Sequence, residues 1–135
     1  MNILVGILVT IHGLIHLMYF GHSARLFELQ PGMAWPDGSW ALAKLLGVEV
    51  TRFAAAGACV LAALGFVAGG VALFASFGWW RIVVIGTAIF STALYVLLWN
   101  GRTQGLSNSG LIAIIINLGI LVSLLVVRWP HFSFQ

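Results

Sequence analysis

Hydrophobic residues fill the chain in four long runs separated by shorter polar stretches. The runs cover approximately residues 2–21, 48–74, 79–99 and 109–128. Each run is about 20 residues or longer, which is the length that crosses a hydrocarbon core of about 30 Å as a helix. A turn at 75–78 and a polar loop at 100–108 separate the later runs. The pattern therefore predicts an all-α fold, a four-helix transmembrane bundle.

The longest polar stretch, residues 22–47, lies between the first and second runs and contains two prolines. Asp37 or Ser39 is suited to cap a short helix over 40–46, with Lys44 on its water-facing side. We expect this piece to be a surface loop or a short interfacial helix. The six tryptophans all fall near run ends or in loops, where membrane interfaces favour them: Trp35, Trp40, Trp79, Trp80, Trp99 and Trp129.

The composition supports a membrane protein. Hydrophobic residues make up 61% of the chain and charged residues 7%, against about 25% charged residues in soluble domains. We expect one integral membrane domain over 1–135, and a first run without the charged flank of a cleavable signal peptide. The net charge of +3 is too small and scattered for nucleic-acid binding. Cys59 is the only cysteine, which excludes an intrachain disulfide and a CxxC motif.

Two histidines, His12 and His16, lie inside the first hydrophobic run. Their spacing of four places both rings on one helix face, one turn apart. Histidine is costly in hydrocarbon, so an intramembrane histidine is a functional-site hypothesis by default.

Other polar residues fall at similar depths in the remaining helices. At 1.5 Å per residue, His12, Ser91 and Asn117 lie roughly 12–14 Å from the face that holds the first and third loops. His16 and Tyr95 lie roughly 6–8 Å from it. We predict a polar ligand pocket that opens towards these loops, with Glu49 and Arg52 at its mouth. The candidate ligand-binding residues are His12, His16, Glu49, Arg52, Ser91, Tyr95 and Asn117.

A structural interpretation of the same residues stays open. Neutral imidazoles bonded to Tyr95 or Asn117 would tie the first helix to the third and fourth. Serine in a membrane helix often bonds to its own backbone, and Arg52 is long enough to reach the headgroups or to pair with Glu49.

The second run also carries small residues at helical spacing, which let another helix approach closely in lipid. A bilayer helix that is simply rich in alanine and glycine is the alternative. The candidate packing residues are Ala54, Ala58, Ala62, Gly65 and Gly69.

The available side chains restrict the chemistry. His12 and His16 share one face and cannot clamp both sides of one haem, so a haem within one chain is disfavoured. A metal would need a third ligand, for which Glu49 is the only acidic candidate, and we predict no metal site. Histidine, tyrosine and an Arg–Glu pair suit the head of a quinone or lipid, or a proton relay. No nucleophile–base–acid set is visible, so the sequence favours a non-catalytic protein and names no catalytic residue.

Five motifs occur in order along the chain: HGLIHL at 12–17, LGFVAG at 64–69, WWR at 79–81, LWN at 98–100 and GLIAIIINLGIL at 110–121. Together they resemble a family of small, uncharacterised bacterial four-helix membrane proteins, similar in size and layout to the DoxX-like proteins. The resemblance implies a bacterial inner-membrane protein and a link to quinone-dependent oxidation of sulfur compounds and to membrane oxidoreductase assemblies. Relatives with thiol redox activity use paired cysteines, which this chain lacks.

These observations lead to three functional expectations. The first is an accessory or structural subunit of a membrane complex that binds a lipid-like ligand, with a membrane protein or a second copy as partner. The alternatives are a quinone-linked oxidoreductase component and an oligomeric small transporter. The positive-inside rule favours cytoplasmic first and third loops, because four cations lie on that face and two on the other: Arg25, Lys44, Arg52 and Arg102 against Arg81 and Arg128.

Overall fold

A computed structural model of the chain describes residues 2–103 and 110–130. Within these ranges all regular elements are helical, which confirms the predicted all-α class. They are α1 (Asn2–Ser23), α2 (Leu42–Leu46), α3 (Val48–Phe74), α4 (Trp80–Leu98) and α5 (Leu111–Leu121), and a π-helical segment, Val122–Val126, continues α5.

Three of the helices, α1, α3 and α4, are long and apolar enough to cross a membrane. The fourth apolar helix, Leu111–Val126, is shorter than these three. The sequence predicts it over 109–128, and residue 109 lies outside the described ranges. Gly110 precedes this helix with φ +89°, a backbone conformation that side chains disfavour.

The helices form an arc in which α1 packs on α3, α3 on α4 and α4 on α5. Direct packing between α1 and α5, the two ends of the arc, is sparse. The α1–α3 contact is the most extensive, because glycine lets the two backbones approach. A Cβ atom on Gly13 would lie 2.7 Å from Phe66 Cβ and 3.1 Å from the Ala63 carbonyl oxygen.

The small residues predicted to form a packing face of α3 are divided between two environments. Gly65 and Gly69 lie against α4, where added Cβ atoms would meet Thr87 and Val84 respectively. Ala62 is fully buried, and Ala58 packs at the edge of an apolar cluster. Ala54 is exposed on the outside of the bundle.

The segment between α1 and α3 folds back onto the helices. Ser39 accepts the N–H of Leu42 at 2.9 Å and donates to the Leu97 carbonyl at 2.7 Å, which fastens the start of α2 to the end of α4. The sequence predicts the short helix over 40–46 and the structure has it from Leu42. Lys44 is exposed, as expected for the water-facing side.

Two apolar clusters fill the bundle, one towards each end. One includes Val9, Phe66, Trp80, Val84 and Leu124. The other includes Trp35, Cys59, Tyr95, Leu98 and Ala113. On α1, α4 and α5 the chain passes from one cluster to the other through buried polar residues, which form a layer between the clusters.

Candidate functional site: a buried polar layer beside an apolar cleft

The polar layer consists of four side chains from three helices. His12 Nε2 lies 2.8 Å from Asn117 Oδ1, and Asn117 Nδ2 lies 2.9 Å from Ser91 Oγ. Ser91 Oγ lies 2.7 Å from His16 Nε2, and His16 Nδ1 lies 3.0 Å from the His12 carbonyl oxygen. Four of the predicted site residues therefore meet in one continuous hydrogen-bond network.

The direction of each bond follows from the carbonyl of His12, which only accepts. His16 Nδ1 must carry the proton, so Nε2 of a neutral His16 accepts from the Ser91 hydroxyl. Ser91 Oγ then accepts a hydrogen bond from the Asn117 amide N–H. The Asn117 amide oxygen therefore faces His12 and accepts a hydrogen bond from His12 Nε2. A charged imidazolium would carry a large desolvation cost at this depth, so both rings are taken as neutral.

The network is buried inside the bundle. His12 is 5% exposed, and His16, Ser91 and Asn117 are fully buried. The ring of Phe66 on α3 contacts both imidazoles, with centroids 4.7 Å from His12 and 5.4 Å from His16. The network closes on a backbone carbonyl, which cannot release a proton, so the bonds hold protons in place rather than passing them across the bundle.

An apolar cleft of about 460 Å³ separates α1 from α5 on one side of this layer. Pockets of this size hold small-molecule ligands. Ser123 and His12 are the polar residues among its aliphatic and aromatic walls. The lining residues are Val5, Leu8, Val9, Ile11, His12, Ile15, Trp80, Val84, Ile116, Gly119, Ile120, Ser123, Leu124, Trp129 and Pro130.

A smaller, loop-side cavity of about 280 Å³ lies on the other side of His12. Leu29, Gln30 and Met33 of the segment between α1 and α3 contribute to its walls, together with Tyr19. This cavity lies on the side where the sequence predicts a polar pocket. The larger cavity is apolar and lies on the side of Trp80 and Trp129, which the sequence pattern does not indicate.

His12 borders both cavities and keeps one ring nitrogen without a partner. Its Nδ1 is buried and makes no hydrogen bond to any residue in 2–103 or 110–130. Because Nε2 carries the proton, Nδ1 is unprotonated, and its lone pair can accept a hydrogen bond. His16, one turn away, uses both ring nitrogens.

Tyr95 lies beside the layer without joining its hydrogen bonds. Its ring centroid is 5.7 Å from that of His16, 5.1 Å from Tyr19 and 5.9 Å from Trp35. Its hydroxyl is buried and lacks a partner among the described residues. The sequence interpretation offered Tyr95 or Asn117 as the hydrogen-bond partners of the imidazoles. In the structure His12 bonds to Asn117 and His16 bonds to Ser91.

Glu49 and Arg52 lie apart from the histidines, in a charged cluster at the surface. Arg52 Nε and Nη2 each donate to a carboxylate oxygen of Asp37 at 2.7 Å, and Nη1 donates to Glu49 at 2.9 Å. Arg25 also pairs with Asp37. The Glu49 side chain is 86% exposed, and neither Glu49 nor Arg52 lines either cavity.

Sequence reasoning offered Asp37 only as a helix cap, a role that Ser39 fills, and it missed the pairing of Asp37 with Arg52. It also missed Phe66 and the cleft. Asp37 lies in a proline- and glycine-containing stretch, and nothing in its spacing points to an arginine on α3. Phe66 is one apolar residue among many. The cleft results from the arc of helices, a tertiary relationship that helical periodicity does not encode.

The described residues offer few options for metal or acid–base chemistry. Within 2–103 and 110–130, no three His, Cys, Asp or Glu side chains come together as a potential metal site. Thr87, on the same α4 face as Ser91, donates to the Val83 carbonyl and adds no group to the layer.

Comparison with protein-family models, with curated proteins and with solved structures finds no match to this chain. The resemblance to DoxX-like proteins stays a prediction.

Proposed function

We propose that this chain is a multi-pass bacterial inner-membrane protein whose non-catalytic bundle binds a lipid-like ligand between α1 and α5, as an accessory or structural subunit of a membrane complex. In this proposal Leu111–Val126 is the fourth span. At 1.5 Å per residue it is roughly 24 Å long, and Trp99 and Trp129 flank it at the levels of the two interfaces.

The observation that carries the ligand proposal is the apolar cleft. Two helices of one bundle normally pack against each other, yet α1 and α5 stay apart over a volume of about 460 Å³. Apolar walls with few polar residues fit a molecule with a long apolar tail and a small polar group. His12 and Ser123 are those polar residues.

The polar layer supports a non-catalytic role. His16, Ser91 and Asn117 form hydrogen bonds with one another and with His12, which tie α1 to α4 and α5. A catalytic base must instead have a free group within reach of a substrate, and in this layer only His12 Nδ1 lacks a partner among the described residues.

A quinone-linked oxidoreductase component is the second candidate. His12 Nδ1, unpartnered among the described residues, favours it, because this nitrogen is available to interact with a quinone. A redox-active ring in the cleft would lie against His12, the one polar side chain shared by both cavities. The two candidates agree on where the ligand binds and differ on whether the ligand is turned over.

The deciding experiment is purification of the full chain in mild detergent, followed by mass spectrometry of all bound molecules and subunits. Gly119 lines the cleft, and an added Cβ there would meet open space, so Gly119→Phe places a bulky side chain at the cleft wall. Gly86 on α4 is exposed, equally open and outside both cavities, which makes Gly86→Phe the matched control.

We expect a stoichiometric amphiphile with the wild type and with Gly86→Phe, and its loss from Gly119→Phe. A bound quinone that is reduced by added donors would support the oxidoreductase instead. If the wild type carries nothing above the detergent background, and the two variants behave alike, the proposal of a ligand site in the cleft is wrong.

A further inference from the structure

The hydrogen-bond network determines which kind of head group His12 can bind. Each bond around the layer fixes the next, from the His12 carbonyl through His16, Ser91 and Asn117 back to the His12 ring. The proton of the His12 ring is therefore on Nε2. Its other nitrogen accepts hydrogen bonds and cannot donate them.

This acceptor is distinguished by its position. Six buried side-chain atoms lack a partner among the described residues, and they belong to Thr10, His12, Ser23, Trp35, Arg81 and Tyr95. Of these six residues, His12 alone lines the apolar cleft, and it alone lines the loop-side cavity. A buried acceptor in an apolar setting is unfavourable until a donor reaches it.

We propose that the ligand is an amphiphile whose polar head is a hydroxyl group, which displaces the groups that cover His12 Nδ1 and donates to this nitrogen, while its apolar tail fills the cleft. This inference rests on the proposed ligand site and names the chemistry of its occupant. A carbonyl or ether oxygen cannot fill the role, because each is only an acceptor and would face the lone pair of the ring.

Two sources supply such a head group. One is an aliphatic alcohol, as in a diacylglycerol or an isoprenoid alcohol. The other is a phenol, as in the reduced, quinol form of a quinone. Both present an O–H on a long apolar tail, and both lose the donor when the oxygen is methylated.

The test compares each hydroxyl compound with its own methyl ether. A diacylglycerol and an alkyl hydroquinone, kept reduced, are titrated into the full-length protein in detergent micelles. The diacylglycerol is compared with its methyl ether and the hydroquinone with its dimethyl ether, so that each ether lacks the donor. Tryptophan fluorescence reports binding, since Trp80 and Trp129 line the cleft. We expect the preferred hydroxyl compound to bind about tenfold more tightly than its ether. Which pair shows the preference identifies the source.

His12→Gln is the informative variant. The glutamine amide can still donate to Asn117, so the tie between α1 and α5 is kept, but glutamine has no acceptor at the position of Nδ1. We expect this variant to bind alcohol and ether equally, at about the affinity of the ether for the wild type. Gly86→Phe, outside the cavities, should retain the tenfold preference and serves as control.

Two negative results are distinguishable. Equal binding of hydroxyl compound and ether by the wild type overturns the hydroxyl head group and leaves the lipid site intact. Failure of all four compounds to bind, together with an empty protein after native purification, overturns the lipid site itself.

Discussion

His12 Nε2 donates to Asn117 Oδ1 at 2.8 Å, and this bond joins helices that begin and end the described bundle. The two residues are 105 positions apart in the sequence. Because α1 and α5 pack little against each other directly, the bond closes an arc that is otherwise held only through α3 and α4. His12 also lines both the apolar cleft and the loop-side cavity.

We predict that Asn117→Ala destabilises the protein by about 1 to 2 kcal/mol, because it leaves the His12 N–H without its acceptor and Ser91 without its donor. The free energy of unfolding in mixed detergent micelles measures this. Leu118→Ala, at the neighbouring exposed position, is the matched control and should change stability by less than about 0.5 kcal/mol.

A double-mutant cycle separates the bond from general packing. His12→Ala, Asn117→Ala and the double variant should show a coupling energy of about 0.5 kcal/mol or more. Purely additive effects would mean that the bond does not hold α1 to α5.

The two histidines should occupy opposite tautomers. The network places the proton of His12 on Nε2 and that of His16 on Nδ1, since His16 bonds the His12 carbonyl. Nitrogen-15 NMR of histidine-labelled protein in micelles distinguishes protonated from bare ring nitrogens. His12→Gln removes one set of signals and assigns the spectrum.

The same spectrum tests the proposed ligand. Addition of a hydroxyl-bearing amphiphile should shift the bare Nδ1 resonance of His12 and leave His16 nearly unchanged. If both rings carry the proton on the same nitrogen, the bond directions around the layer are wrong.

Much of the fold follows from hydropathy. The predicted run over 48–74 and the helix Val48–Phe74 have the same limits, since a bilayer-length apolar segment has few alternatives to helix. Tryptophan position is less informative. Trp35 fits the pattern of an interfacial residue, yet it is 4% exposed and packs against Tyr19 and Tyr95. A rule about depth in the membrane does not decide which side of a helix faces the bundle.

The site was partly predictable for a similar reason. Spacing of four and counting of depth bring His12, His16, Ser91 and Asn117 to one region. Position at the same membrane face also groups Glu49 and Arg52 with them, but Arg52 pairs with Asp37 and with Glu49 instead. Whether Arg52 faces the histidines or Asp37 depends on how the segment between α1 and α3 folds back. That fold is a tertiary relationship that the helical pattern does not contain.

We predict that Gly13→Ala costs about 1 to 3 kcal/mol of stability, because the new methyl group would force α1 and α3 apart. Its Cβ would be 2.7 Å from Phe66 Cβ and would crowd the backbone around Ala63. Gly86→Ala is the matched control, since a Cβ there meets open space, and it should stabilise by about 0.5 to 1 kcal/mol. Thermal unfolding followed by circular dichroism compares the three proteins, and equal behaviour of the two variants would contradict close α1–α3 packing.

Labelling of single cysteines tests the proposed four spans and their orientation. In a Cys59→Ala background, which removes the buried native thiol, we place cysteine at Lys44, Thr103, Gly78 or Val127, all exposed. If loops one and three are cytoplasmic, a membrane-impermeant maleimide should label Lys44→Cys and Thr103→Cys in inverted vesicles. Gly78→Cys should react in intact spheroplasts, because one helix crossing separates it from each loop. If α5 crosses the bilayer, the maleimide should label Val127→Cys from the same side of the membrane as Gly78→Cys. Labelling of Val127→Cys from the side of Thr103 would show that only three helices span the membrane.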